Sequence, residues 1–515
     1  MSKSIYGIDT SKMSAQTIYK SLETKRGPYM DRAREASEIT IPQLYPPEGS
    51  DENTAYPTPY QSLGAKGVNN LANKIVLSLF PPTTAFFKLG LSPADLAATG
   101  KAQGEVQQAM YILETSIVNE MEVSSLRPKL VHLIKQLIVG GSSVIYVPEL
   151  GSPEIFKLDE FVVKRDKKGN VLRLVIKQSV AFTSLSASIA KQLPRNEITD
   201  EIRDGKKMLD LYTAIVKSDD DTYTVWQEIL GKRIDGSEGT YKTEDLPYRF
   251  IPFVDSGEDF GRSYIEDFIG DIQSYEGLRQ AILEGAAESA RILYVLRPNS
   301  TLSAKRVQAA KSGDVLVGNP EDISTIQSDK RMDMSVTQKE AENLKQDIAL
   351  LFLLDSAVRR DAERVTAAEI RQVSQELEVA LGGIYSTLSN ALQGPLVKLY
   401  MNRLVKQKKI NPVLKDSLKL EITTGSAALG RGTDFNVLNT FVNTLGMILQ
   451  NPAAGNYVNV SELIKRMAYS LDINTASLIV SEEERQAMQQ QAQQQQLMEQ
   501  AAPELVKGAM NQQSE

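Results

Sequence analysis

At 515 residues the chain is too long for one hydrophobic core and implies two to four domains or sub-domains. Apolar residues at 42% and charged residues at 24% are the proportions of an ordinary globular chain, while a net charge of −7 excludes a surface that grips nucleic acid throughout by neutralising phosphates; weak passage of DNA stays open. The lack of cysteine rules out disulfides, zinc–thiolate and iron–sulfur sites and cysteine nucleophiles, and the single histidine, His132, rules out multi-histidine metal motifs.

The opening "MSKSIYGIDTSK" carries no apolar stretch of the secretory type, and the apolar run 348–354 is far too short to span a membrane. A protein made and kept in a cytoplasm, with no membrane partner, is expected. Ile18, Leu22 and Tyr29 predict a first helix, interrupted at Gly27-Pro28. A proline-rich connection follows over 40–60, and from Pro59 the spacing of Leu63, Val68, Leu71, Ile75 and Leu79 predicts a second helix that "FPP" stops. Val106, Met110, Leu113, Ile117 and Met121 mark a third helix. Leu130, Leu133 and Leu137 mark a fourth, which contains His132 and ends at Gly140-Gly141. A histidine inside such a pattern reads as a helix residue rather than a member of a Ser-His-Asp triad.

At "SSVIYVP" the texture turns to short β-rich runs that last to about 254. "FVVKRDKKGNVLRLVIKQ" predicts a hairpin turning at 168–170, and "LDLYTAIVKSDDDTYTVWQEI" a second turning at 218–221. The three aspartates of that turn are read as solvated and Trp226 as a packing residue. A long helix is expected from 261 to about 292, with Ile265, Phe268, Ile272, Leu278 and Ile282 as its apolar stripe. Its other faces are acidic: Glu266, Asp267, Asp271, Glu276, Glu284 and Glu288.

A small α/β insert occupies 293–328, with strands at "LYVLRP", "DVLVG" and "DISTIQ" and a short helix at "SAKRVQAAKSG". So short a segment cannot hold a core alone. A second long helix spans 332–354 and ends in "IALLFLL", apolar on all sides and therefore expected to be buried all round. The charged connection 355–365 comes next. Thr366 and Glu369 then form a capping box for a third long helix, weakened at Gly382-Gly383 and broken at Gly394-Pro395. Residues 412–480 are expected to form a separate helical unit, and Ser481 with Glu484 caps a polar helix running into a Gln-rich tail.

No GxxxxGK[ST] phosphate cradle, GxSxG elbow, zinc pattern or kinase set is present, and "GRGTD" and "GAKG" lack the strand–loop–helix setting of a nucleotide site. No cofactor, no metal and no enzymatic activity are expected. A nuclease would need a metal, and the turn at Asp219, Asp220 and Asp221 is the one place to seek it.

The order of these parts resembles the portal proteins, or head-to-tail connectors, of short-tailed phages. The resemblance covers nearly the whole chain. It is carried by "YQSLGAKGVNNLANKIVLSLFPP", "FVVKRDKKGNVL", "GRSYIEDFIGDIQSYEGLRQAI", "SGDVLVGNPEDIS" and "DSAVRRDAERVTAAEIRQVSQELEVALGGIYSTLSNALQGPLV", with "ERVTAAEIR" before "LGGIYS" the most specific. It implies an α+β, mainly helical fold. A wing takes 1–260, β-rich from about 142, and stem helices take 261–292 and 332–354 around a clip at 293–331. A tunnel loop at 355–365, a long kinked wing helix at 366–410, a crown at 411–480 and a C-terminal helix and tail at 481–515 complete it.

The same resemblance implies a homo-oligomeric ring, usually a dodecamer, at one capsid vertex, with double-stranded DNA passing through its channel. Its implied partners are terminase, tail adaptor, scaffold and major capsid proteins, and internal core or ejection proteins. Arg359, Arg360 and Arg364 of the tunnel loop then either touch the DNA backbone or pair with carboxylates of a neighbouring subunit. Lys305, Arg306 and Lys311 of the clip face DNA or a partner, or are simply solvated. Ile348, Leu351 and Leu354 pack between subunits, and the clip completes its sheet with a neighbour's strands. The different-class alternative is a helical virion scaffold or adaptor without a DNA channel.

Overall fold

A computed structural model of the chain describes residues 13–51, 53–82, 86–91, 103–194, 196–219, 221–289, 293–300, 302–326, 331–354, 367–410, 418–422 and 443. The chain divides into two compact units, one of residues 1–82 and 119–410, the other of 83–118 and 411–515.

In the first unit the two expected hairpins form one antiparallel sheet. Its strands run Phe161–Arg165, Val171–Val180, Leu209–Asp219, Thr222–Ile229 and Lys232–Arg233 in that order, and Gly239–Lys242 also pairs with Thr222–Ile229. Alternation decides its faces. Val162, Val175, Ala214 and Trp226 are register partners across four successive strands and make one fully buried row. Ala15, Ile18, Tyr19 and Leu22 of the Ala15–Glu38 helix cover that row. Residues of the opposite parity, Leu209 and Ile229, join Leu193, Ile198, Ile202 and Ile234 in a separate cluster on the other face. Trp226 is thus a core residue, with the Arg233 guanidinium 4.4 Å from its ring centre.

The first helix is continuous through Pro28, contrary to the expected interruption. Proline forfeits one helical hydrogen bond, but tertiary contacts on both sides of it hold the rod together. Arg26, buried just before the proline, donates from Nη1 to Tyr19 Oη at 2.7 Å and to the carbonyls of Asp159 (2.6 Å) and Phe161 (3.1 Å).

The Leu63–Leu79 helix starts four residues after Pro59 and packs on the Leu126–Gly140 helix. The latter ends where expected: Gly141 adopts φ +76°, and a Cβ there would lie 2.6 Å from the Arg262 backbone. The chain then enters Ser142–Tyr146, the centre of a three-stranded sheet between Tyr248–Pro252 and Glu154–Phe156. His132 lies on the Leu126–Gly140 helix, its Nε2 3.4 Å from Gln136 Nε2.

The third long segment forms two helices, Ala367–Leu381 and Gly383–Lys406, separated at Gly382, where φ is +50°. The expected break at Gly394-Pro395 is absent: Pro395 sits inside Gly383–Lys406, between buried Leu392, Gln393, Leu396 and Val397 whose packing outweighs the missing backbone bond.

In the second unit, Phe87–Leu91 pairs antiparallel with Leu418–Ile422, Leu89 opposite Leu420. The Gln103–Val123 helix contributes its residues up to 118, and its Glu114 carboxylate accepts the Leu89 amide at 2.6 Å. Residues 83–118, within the span expected for the wing, belong to this unit. The one described segment of 412–480 longer than a single residue is a strand where helix was expected, because "LKLEI" finds a distant strand edge to complete.

Candidate functional site

Two helices, Ile269–Ser289 and Arg331–Leu351, pack along each other. Ile272 and Tyr275 of the first and Ala341, Ile348 and Ala349 of the second are buried. The first begins later than expected. Residues before it form a bridge between Arg262 and Val254 and a 3-10 turn, Ile265–Asp267. A reciprocal cap sets that turn: Ser263 Oγ accepts the Glu266 amide and Glu266 Oε1 accepts the Ser263 amide, both at 3.1 Å. Gly261 is held against the neighbouring sheet, where a Cβ would come within 2.6 Å of Pro252.

The six expected acidic residues separate into two kinds. Glu266 and Asp267 lie in the turn, where Arg262 donates to them at 3.3 and 2.7 Å. These ion pairs hold the Arg262 guanidinium above its ordinary pKa. The Glu276 carboxylate accepts the backbone amides of Tyr60 at 2.6 Å and Gln61 at 3.1 Å, tying the helix to the approach of Leu63–Leu79. Asp271, Glu284 and Glu288 are exposed, as is the Arg262-paired Asp267, with Glu284 accepting only from Gln280 one turn away at 2.9 Å among the contacts on described residues.

In the insert, Leu293–Leu296 pairs antiparallel with Ile323–Ile326, and Ala304–Ala309 is helical. "DVLVG" forms no strand, contrary to expectation: Val315 and Val317 are 90% and 86% exposed. High β-propensity there meets no strand edge among the described residues of its own chain. Leu302 is the buried apolar residue, seated over Gly318, where a Cβ would fall 2.5 Å from Leu302 Cγ. Lys305, Arg306 and Lys311 are all exposed.

The apolar end of Arg331–Leu351 is only partly enclosed. Ile348 is fully buried within its own chain, and Phe352 is 1% exposed. Leu351 and Leu354 are half-buried, while Leu350 is 63% exposed. The helix end is gripped by side chains that no motif announced. Tyr264 Oη donates to the Leu351 carbonyl at 3.0 Å, and Asn70 Nδ2 donates to the carbonyls of Phe352 (2.9 Å) and Leu353 (3.0 Å). Lys74 Nζ donates to the Leu353 carbonyl at 2.9 Å. The Phe352 ring lies over Gly67, where a Cβ would come within 2.3 Å of it. Arg359, Arg360 and Arg364, with the capping box at Thr366, lie outside the described residues. So do the Ser481–Glu484 cap and the Gln-rich tail.

Among the described residues no group of three or more His, Asp or Glu side chains could hold a metal ion, and no helix is long and apolar enough to cross a membrane.

The family of bacteriophage head to tail connecting proteins matches residues 12–479. The chain is 34% identical to the portal protein of Escherichia phage T7 over 507 residues, which is 96% of this chain and 93% of that one. It is 34% identical to the portal protein of Enterobacteria phage T3 over 92% of this chain and 89% of that one. With the portal protein of Pseudomonas phage phiKMV the identity is 26%, across 97% and 98% of the two chains. A family match over most of the chain and one-third identity along nearly its full length leave one assignment: the chain belongs to the bacteriophage head to tail connecting proteins.

Proposed function

We propose that the protein is the subunit of a portal ring at one capsid vertex, the DNA channel for genome packaging and ejection. The observation that carries this reading is the end-to-end likeness to portal proteins, which spans 96% of the chain with one relative and 97% with another. In this reading the ring nucleates capsid assembly, docks terminase and afterwards tail proteins, and meets scaffold, major capsid and internal ejection proteins.

The physical features fit the task. A channel must hold DNA and yet release it at each step. Asp271, Glu284 and Glu288, exposed along the stem, repel phosphate over roughly 8 Å at physiological salt. Arg359, Arg360 and Arg364, interspersed with Asp361 and Glu363, supply transient contacts without a strong clamp. The exposed Val315 and Val317 suit strand pairing with the insert of an adjacent copy, and Leu350, with Leu351 and Leu354, suits burial against it. Lys305, Arg306 and Lys311 offer the clip a basic face for DNA or a docking protein.

The test is mass photometry of the purified protein, followed by electron microscopy of the same sample. A particle of roughly 0.7 MDa, twelve times the 56.9 kDa chain, with a central hole in end views, is the expected result. A stable monomer or an open polymer under several salt conditions would overturn it in favour of a scaffold without a channel.

A further inference from the structure

The chain enters residues 355–366 from one helix and leaves them into another, and a single buried amine touches both. Lys74, on the Leu63–Leu79 helix, is 5% exposed. Its Nζ lies 2.9 Å from the Leu353 carbonyl, just past the end of Arg331–Leu351. The same Nζ lies 3.5 Å from Glu376 Oε2, on the Ala367–Leu381 helix. Neighbours on the Leu63–Leu79 helix bind one side each. Asn70 serves the Phe352 and Leu353 carbonyls, and Ser78 Oγ meets Ser374 Oγ and Tyr385 Oη, both at 2.6 Å.

Three further facts make Lys74 more than filler. Helix-terminal carbonyls have no partner within their own helix, so donors from elsewhere define where such an end can sit. Leu353 adopts φ +52°, a left-handed conformation that a leucine keeps only when its surroundings hold it there. A buried ammonium is a costly way to fill space, since an apolar side chain of equal volume would need no counter-charge. Burial lowers the Lys74 pKa, and Glu376 opposes that shift.

We propose that Lys74 is a positioning residue that fixes the end of Arg331–Leu351 relative to the Ala367–Leu381 helix. Asn70 and Ser78 each hold one side, and Lys74 couples the two. The coupling does not depend on the portal reading.

The experiment is hydrogen exchange on the full chain in whatever assembly it forms, following peptides covering 348–354, 367–381 and, as an internal control, 209–229. Lys74→Met is expected to speed exchange at least about tenfold in both of the first two segments and to leave the control unchanged. Asn70→Ala should loosen 348–354 alone and Ser78→Ala 367–381 alone, and Lys74→Arg should restore most of the protection in both. Should Lys74→Met fail to fold, Glu376→Gln replaces it, with faster exchange in 367–381 and partial loosening of 348–354 as the expected pattern. Loosening of only one segment in Lys74→Met, or none beyond 367–381 in Glu376→Gln, would overturn the coupling. Failure of the wild-type chain to form rings would overturn the portal reading and leave this result standing.

Discussion

Glu120 Oε1 and Arg403 Nε meet at 2.9 Å with both side chains less than a tenth exposed. Around that pair, Lys409 Nζ and Gln407 Nε2 each reach Glu120 at 3.2 Å, and Arg403 Nη1 donates to the Gly151 carbonyl at 2.8 Å. The network closes the C-terminal end of Gly383–Lys406 onto the last turn of Gln103–Val123 and the loop after Ser142–Tyr146. Removing one partner strands the other's charge, so Glu120→Ala or Arg403→Ala is expected to cost about 3–5 kcal/mol in chemical unfolding.

Acid should act on the same network. Burial alone would raise the Glu120 pKa, but Gln407, Lys409 and Arg403 outweigh it and hold the carboxyl below its ordinary value of 4.5. A depressed folded-state pKa gives stability that is fully present above the unfolded value and lost as pH falls through the folded one. Thermal scans from pH 6 downward should show a loss beginning near 4.5 that is smaller in Glu120→Gln; an identical profile in that variant would remove Glu120 as the cause.

Gly67 lies beneath the Phe352 ring. An alanine normally strengthens a helix, by about 1 kcal/mol over glycine. Here its Cβ would fall 2.3 Å from the ring, and a net destabilisation of about 1–3 kcal/mol is expected. Combining Gly67→Ala with Phe352→Leu should give less than the sum of the two separate losses in equilibrium unfolding; strict additivity would mean that the ring and the glycine do not constrain each other.

The acidic residues in and just before the Ile269–Ser289 helix should behave unequally. Glu276→Ala removes a carboxylate from two backbone amides and should cost about 1–3 kcal/mol. Asp271→Ala, Glu284→Ala and Glu288→Ala should each change stability by less than about 0.5 kcal/mol. Denaturation at one fixed protein concentration decides this, since assembly itself adds stability. Within the portal reading, the last three are the ones whose change to lysine should slow DNA passage.

Reversing Arg359, Arg360 and Arg364 to Glu together is expected to leave rings intact and to reduce packaging or genome retention in particles. Loss of the rings themselves, seen by microscopy, would assign those arginines to contacts between subunits.

Much of the first unit was legible because its signals are local. The alternation in "VVKRDKKGNVLRLVIK" and "AIVKSDDDTYTVW" fixes which residues face the core, and the row Val162, Val175, Ala214, Trp226 follows from it. Misreadings arose where distant packing overrides a local penalty. Pro28 and Pro395 each mark a break by propensity, yet buried neighbours carry the helix through both. "DVLVG" has the composition of a strand but meets no strand edge of its own chain among the described residues, whereas "LKLEI" finds one far away in sequence. The cap formed by Ser263 and Glu266 was readable in "SYIE" as a serine three residues before a glutamate, and it marks the true start of the turn. Nothing in the sequence marks Asn70 or Lys74, because their partners are backbone carbonyls that only the fold delivers.

The pairing of Leu89 with Leu420 joins residues about 330 positions apart. During synthesis the Phe87–Leu91 edge therefore emerges long before its partner exists. Through most of translation it is an open, apolar strand edge, the kind of template that other chains adopt. A chain stopped at Ile410 keeps every residue of the first unit and leaves that edge permanently bare, so it should scatter light and sediment as aggregate where the full chain stays dispersed. The Leu418–Ile422 strand would thus act as a shield against self-association as well as a structural part.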